Sequence, residues 1–334
     1  MVDITSEYLG IKLKNPLIAS SSPLTGSLDK ARELEDAGAA AIVLPSLFEE
    51  ELIEDQDTML KAIDFQDIGF GEADSFLPEP HNYQSHLDQY LEKAQAIKTS
   101  LDIPVIASLN GRSLSGWIEN ARLLEELGCD ALELNTYHVA ANITDTANDV
   151  ESEYTLLVRE LRATVKIPIT VKLSPQYSSL GHYIQQLQQR GANGVVLFNR
   201  FYQPDIDLET LNLAPRLQLS TSTEALERVR WIALLSKKIN LSFAATGGFH
   251  TADDVLKALL AGGDAVYLCS SLLQHGPSHI KDLLGAMQDW LQEKEYESIN
   301  QLKGSLCYEH SDDAIAYERG NYLSVLQSYT DGTK

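Results

Sequence analysis

The sequence predicts an α/β protein built as a (β/α)8 TIM barrel, a single domain with a C-terminal extension. Three observations carry that expectation. A helix end, a glycine and a short apolar strand recur four times, as EDAGAAAIVLP at 35–45, EELGCDALELN at 125–135, QQRGANGVVLFN at 188–199 and ALLAGGDAVYLC at 258–269. Further apolar strand runs lie between these repeats, each followed by a helical period, which indicates a parallel sheet covered on both faces. Finally, eight strand-helix pairs fit in roughly 290 residues, the scale of a closed barrel, and the G-x-G-x-x-G turn of a doubly wound sheet is absent.

In the four repeats Gly38, Gly128, Gly191 and Gly262 follow an amphipathic stretch, the place of a helix C-cap. The other strands are NPLIASS from Asn15, IPVIASLN from Ile103, IPITVKLSP from Ile167 and NLSFAATGG from Asn240. Helices are expected at 27–37, 86–99, 113–127, 150–164, 177–190, 222–238, 251–261 and 277–293. Two longer loops interrupt the alternation, 48–83 after the second strand and 200–221 after the sixth. Both leave the C-terminal ends of strands, where barrel enzymes build their sites, so both are expected to wall a pocket. The barrel is thus assigned to 1–300 and the extension to 301–334, whose segment AIAYERGNYLSVLQSY would pack on the barrel or on another subunit.

With 44% hydrophobic and 22% charged residues, the 334-residue chain has globular composition. A net charge of −22 without a run of Lys and Arg speaks against nucleic acid as a partner. No apolar run approaches the roughly 18 to 20 residues that span a bilayer, and the start has neither a charged nor an apolar leader region. A cytoplasmic protein with no membrane association is expected. Cys129, Cys269 and Cys307 are widely separated and form no CxxC, so no disulfide framework and no metal site is expected.

The seventh strand runs into Thr246-Gly247-Gly248 and the eighth into Cys269-Ser270-Ser271, just before a helix. Paired turns of glycine and small hydroxyl residues let backbone N–H groups reach an anion. Either turn alone reads equally as a tight turn; together, at the seventh and eighth strands, they read as a barrel phosphate site. Lys172 lies at the end of a strand otherwise written for burial, where an ammonium needs an anionic or polar partner. That partner is either a structural carboxylate or an electron-rich cofactor ring. Asn135 and Asn199 close the fourth and sixth strands and place amides at the barrel mouth, suited to a pyrimidine or flavin edge or to loop capping.

These segments, from NPLIASS through AATGGFHTADDVLKALLAGGDAVYLCSSLLQHGP to EKEYESINQLKG, resemble the dihydroorotate dehydrogenase family over residues 8 to about 304. The ending YERGNYLSVLQSY is similar to a divergent, dihydroorotate dehydrogenase-like branch. The resemblance implies a soluble FMN-dependent dehydrogenase acting on CH–CH groups, converting dihydroorotate to orotate in pyrimidine biosynthesis, with hydride passing to flavin N5. It implies FMN contacts at Ala19, Ser20, Ser21, Asn135, Lys172, Gly247, Gly248, Cys269, Ser270 and Ser271, and substrate contacts at Asn135, Asn199 and Arg200. Catalysis would fall to Asn135, Lys172 and a base three residues beyond Asn135. Here that base is His138, where the family carries Cys or Ser; neutral imidazole, with a reference pKa of about 6.5, is a competent general base.

Other positions depart from the family pattern. The lysine expected at the end of the second strand aligns with Pro45, the Pro-Asn after the base becomes Val139-Ala140, and a serine becomes Arg200, which could grip a carboxylate bidentately. Similar barrels are commonly dimers, so a homodimer is expected, and the electron acceptor is unknown from sequence. Two other readings remain: a phosphate-binding barrel lyase or isomerase, and a flavin-binding protein without dihydroorotate turnover.

Overall fold

The structure is a computed structural model describing residues 2–50 and 85–318, except 112, 202 and 215. Most of the 48–83 loop and the end of the extension lie outside the described residues.

The chain begins with an antiparallel hairpin, β1 (Ser6–Tyr8) and β2 (Ile11–Leu13). Strand–helix alternation then runs β3 (Leu17–Ala19), α1 (Leu28–Asp36), β4 (Ala41–Phe48), α2 (His86–Ser100), β5 (Val105–Asn110), α3 (Leu114–Glu126) and β6 (Ala131–Asn135). It continues through α4 (Ala147–Thr164), β7 (Ile169–Leu173), α5 (Leu180–Gln189) and β8 (Gly194–Leu197). A second hairpin, β9 (Asp205–Asp207) with β10 (Asn212–Ala214), precedes α6 (Ala225–Leu235), β11 (Ser242–Thr246), α7 (Ala252–Ala261) and β12 (Ala265–Leu268). The last described elements are α8 (Ser270–His275), α9 (His279–Glu293), α10 (Ile299–Leu302) and α11 (Ile315–Glu318).

Eight parallel strands close in the order β11-β12-β3-β4-β5-β6-β7-β8, so the expected TIM barrel is borne out. The four repeat glycines all have positive φ, as helix C-caps require.

Inside the barrel, alternate strand residues such as Ile18, Val43, Ile106, Val196 and Ala244 form a closed apolar layer. The first hairpin plugs its N-terminal end. Tyr8 is fully buried there, its hydroxyl 3.0 Å from Thr170 Oγ1 and accepting from the Tyr267 hydroxyl at 3.3 Å. The opposite strand faces pack on the helices in a second, larger core.

The repeated glycine motif carries a further device. Two residues after Gly128, Gly191 and Gly262 stand Asp130, Asn193 and Asp264. Each accepts a hydrogen bond from the backbone N–H of a neighbouring strand: Val105 at 2.7 Å, Ile169 at 2.9 Å and Phe243 at 2.7 Å. These side chains clamp adjacent strands at the N-terminal rim, where a strand's N–H would otherwise be buried without an acceptor. Lys98 and Lys303 complete Asp130 and Asp264, at 2.5 and 2.6 Å.

The described part of the extension packs on the barrel. Lys303 reaches Asp264, Leu306 N–H donates to Leu260 O and Tyr308 N–H donates to Ala233 O. Replacement of Asp130 by alanine leaves the Val105 N–H without its acceptor, and we expect a loss of about 2 kcal/mol in urea unfolding. An unchanged unfolding midpoint would show that the rim clamp contributes nothing.

Candidate active site

The C-terminal ends of the strands surround a cavity of about 220 Å³. Ser20, Ser21, Lys172, Asn199, Arg200, Gly247, Gly248, Cys269 and Ser270 all line it. Ala19 lies buried at the end of β3 beneath it, Ser271 is buried beside Ser270, and Asn135 is one hydrogen bond away through Asn199.

A polar layer lies above the apolar barrel interior, and strand register explains it. Ser46 pairs with Ser108, Ser108 with Glu133 and Asn135 with Lys172 across neighbouring strands. Lys172 Nζ stands 3.6 Å from Glu133 Oε1, and both residues are buried, Glu133 completely. Ser108 Oγ donates to the same carboxylate oxygen at 3.4 Å and lies 2.8 Å from Ser46 Oγ. Asn135 Nδ2 donates to Ser46 Oγ at 3.3 Å, and Asn199 Nδ2 donates to Asn135 Oδ1 at 2.6 Å. Lys172 thus has the structural carboxylate partner and also a face on the cavity. Among the described residues Glu133 Oε2 has no hydrogen-bond partner.

Neither Glu133 nor Ser46 was singled out in the sequence. Glu133 was detectable, because in ALELN it alternates with Leu132 and Leu134 and so faces the barrel interior. Ser46 was hidden by a bulge: the β4–β5 register shifts between Val43 and Ser46. Proline cannot donate to a ladder and is confined to such places. Pro45 therefore turns outward, against Gly26 and Tyr90, and its carbonyl accepts from the Tyr90 hydroxyl at 2.9 Å. The inward position at this strand end is a serine.

The two turns after β11 and β12 meet at the other side of the cavity. Gly248 has φ +97°, and a Cβ there would lie 2.4 Å from the Ala225 nitrogen, so only glycine lets α6 approach. Ser220 ties the turns together: its Oγ accepts from Gly248 N–H at 3.1 Å, and its own N–H donates to Ser270 Oγ at 3.1 Å. Among the described residues the Gly247 N–H makes no hydrogen bond outside the strand ladder, and the buried Ser271 hydroxyl has no partner. Glycine and serine turns lining a cavity, with an unpartnered buried hydroxyl next to them, fit an anion such as a phosphoryl group, so the residues present suit a phosphorylated cofactor.

His138 and Arg200 are placed less directly. His138 is exposed on the segment after β6, its ring 6.5 Å from that of Tyr154, and does not line the cavity. Val139 and Ala140 beside it are exposed as well. Tyr137 packs on Phe201 with ring centroids 4.3 Å apart, joining the segments after β6 and β8. Arg200 lines the cavity, but its Nε pairs with Glu224 at 3.1 Å and its Nη1 donates to the Gln218 carbonyl.

Because Glu133 is fully buried, Lys172→Met leaves a carboxylate without its cation, and we expect a loss of about 3–5 kcal/mol on urea unfolding. Adding Glu133→Gln recovers most of it. A Lys172→Met protein as stable as the parent would mean that the pair does not hold the barrel mouth together.

Comparison with known proteins shows the family. The family described as Dihydroorotate dehydrogenase matches residues 4–291. The catalytic subunit of dihydroorotate dehydrogenase B (NAD(+)) from Thermoplasma acidophilum is 24% identical over 317 residues, covering 91% of this chain and 99% of that protein. The corresponding subunit from Geobacillus kaustophilus is 26% identical, covering 83% of this chain and 90% of its own length. The NAD-dependent dihydropyrimidine dehydrogenase subunit PreA of Escherichia coli is 22% identical, covering 90% of this chain and 76% of that protein. Among the described residues no helix is long and apolar enough to cross a membrane. The chain belongs to the dihydroorotate dehydrogenase family and is an oxidoreductase of that family.

Proposed function

We propose that the chain binds FMN in the cavity at the barrel mouth and oxidises or reduces the C–C bond beside a carbonyl in a dihydropyrimidine ring, with dihydroorotate the leading substrate. One observation carries this reading: a buried ammonium, Lys172, and the turns at Gly247-Gly248 and Ser270 line one cavity, with the unpartnered Ser271 hydroxyl next to Ser270. When bound, FMN supplies a two-electron hydride acceptor.

The chain's own residues do the rest. Gly247, Gly248, Ser270 and Ser271 hold the phosphate, and Ala19, Ser20, Ser21 and Cys269 border the cofactor. Lys172 faces the electron-rich part of the ring, with Glu133 fixing its position. The Asn135–Asn199 pair offers donors and acceptors to the amide edge of a pyrimidine. His138, on the segment after β6, is the candidate base for the ring proton. The three cysteines are free, so electrons leave to an acceptor outside this chain.

A second substrate reading, an uncharged dihydropyrimidine, is favoured by one observation. The Arg200 guanidinium is already held by Glu224 and Gln218, and Pro45 carries no charge, so neither supplies a free cation for a carboxylate. Anaerobic mixing of the FMN-loaded protein with dihydroorotate, and separately with dihydrouracil, decides between them. Bleaching of the flavin by dihydroorotate is the expected result, and bleaching by dihydrouracil alone selects the uncharged substrate. A protein that binds no FMN sinks the flavoprotein reading.

In the same assay His138→Ala slows bleaching by about a hundredfold or more, the usual contribution of a general base, while leaving FMN affinity unchanged. Full turnover in that variant would remove His138 as the base.

A further inference from the structure

Behind the β11 turn lies a buried cation that the proposed function does not use. Arg228, on α6, is 6% exposed, and its guanidinium sits 5.8 Å from the centroid of the Phe198 ring at the cavity wall. Its Nε donates to the Thr246 carbonyl at 3.1 Å, and its Nη1 donates to the Glu224 carbonyl at 2.9 Å and to Glu227 Oε2 at 3.0 Å. Nη2 has no hydrogen bond among the described residues. It lies 3.3 Å from where a Cβ on Gly247 would stand, so the guanidinium abuts the turn with no side chain between.

The Thr246 bond decides which way the turn faces. In a trans peptide the C=O and N–H point in opposite directions. The Thr246 carbonyl accepts from Phe198 N–H at 3.3 Å as well as from Arg228, so it is held toward β8. The Gly247 N–H of the same peptide therefore points the other way, toward β12 and its Ser270-Ser271 turn. There Thr246 pairs with Tyr267 in the β11–β12 ladder, and among the described residues the Gly247 N–H makes no hydrogen bond outside that ladder.

The charge balance also favours an anion at this place. Glu227, the carboxylate on Arg228, is half exposed and screened by water, and the Glu224 carboxylate is taken by Arg200. Burial pulls the Arg228 guanidinium below its ordinary value, with Glu227 and Glu224 opposing that and Arg200 adding to it. A guanidinium starts so high that it keeps its charge.

We propose that Arg228 is the positioning residue of the phosphate turn: it aims the Gly247 N–H at the cavity and sets a buried positive charge behind it. The chain thereby selects a phosphorylated ligand over its uncharged counterpart. This rests on the cofactor reading above and adds the residue that discriminates FMN from riboflavin.

The test compares dissociation constants for FMN and riboflavin, read by flavin fluorescence, in the parent protein, Arg228→Gln and Arg228→Lys. In the parent, FMN binds more tightly. Arg228→Gln should lose about tenfold or more in FMN affinity, the scale of a lost charge-assisted contact, with riboflavin changing less than about twofold. Arg228→Lys, which keeps the charge without the planar fork, falls between. Equal weakening of both flavins, or an unchanged FMN preference, overturns the assignment. If Arg228→Gln does not fold, Arg228→Lys decides by the same criterion: a reduced preference for FMN supports the assignment, and the parent's preference overturns it. A parent protein that binds neither flavin removes the cofactor reading and this assignment with it. A parent that binds FMN beside variants of undiminished preference removes this assignment alone.

Discussion

Lys172 and Glu133, 3.6 Å apart inside the mouth of the barrel, set the conditions for everything built above them. Each charge alone would be costly to bury, and each is tolerable only because the other is there. The pair sits on the apolar layer that fills the barrel interior, so polarity begins abruptly at one level of the strands. Ser108, Ser46, Asn135 and Asn199 extend that level by hydrogen bonds around half of the mouth. A ligand resting on it meets an ammonium held in place and a row of amides and hydroxyls whose orientations are already fixed. Such preorganisation is what a site for a planar, polar-edged ring needs.

The opposite side of the cavity is organised by backbone. There Ser220 joins the turns after β11 and β12, and Ser220 belongs to the long segment that also carries Arg200. Arg200 returns to Glu224 at the start of α6, while Arg228 from that helix supports the Thr246–Gly247 peptide. The turns after β11 and β12 and the wall of the pocket therefore share one set of supports. Tyr137 against Phe201 links the wall to the segment that carries His138.

Much of this was legible in the sequence because barrel strands and helix ends have strong local signatures. Seven of the eight barrel strands lie within the expected runs, β4 continues past Pro45 to Phe48, and Lys172, Gly247, Gly248 and Ser270 come together at one cavity. Helix starts were read less well. The helix expected from residue 150 begins at Ala147, where Thr146 and Asp149 form a capping box. The one expected from 222 opens with a short 3-10 turn before α6. What escaped were features that depend on neighbours distant in sequence. The β4 bulge that exchanges Pro45 for Ser46 exists only against β5, and the clamp residues Asp130, Asn193 and Asp264 meet their N–H partners only across the rim. Arg228, beside Glu227 and two residues before Arg230, reads as part of a solvated face until the fold buries it.

The most direct test is a crystal structure of the chain with FMN. The account requires the phosphoryl group within hydrogen-bond reach of the Gly247 N–H and Ser271, with the flavin ring against Lys172. FMN found elsewhere, or those two polar groups filled by protein atoms with no space for a phosphoryl group, would contradict it.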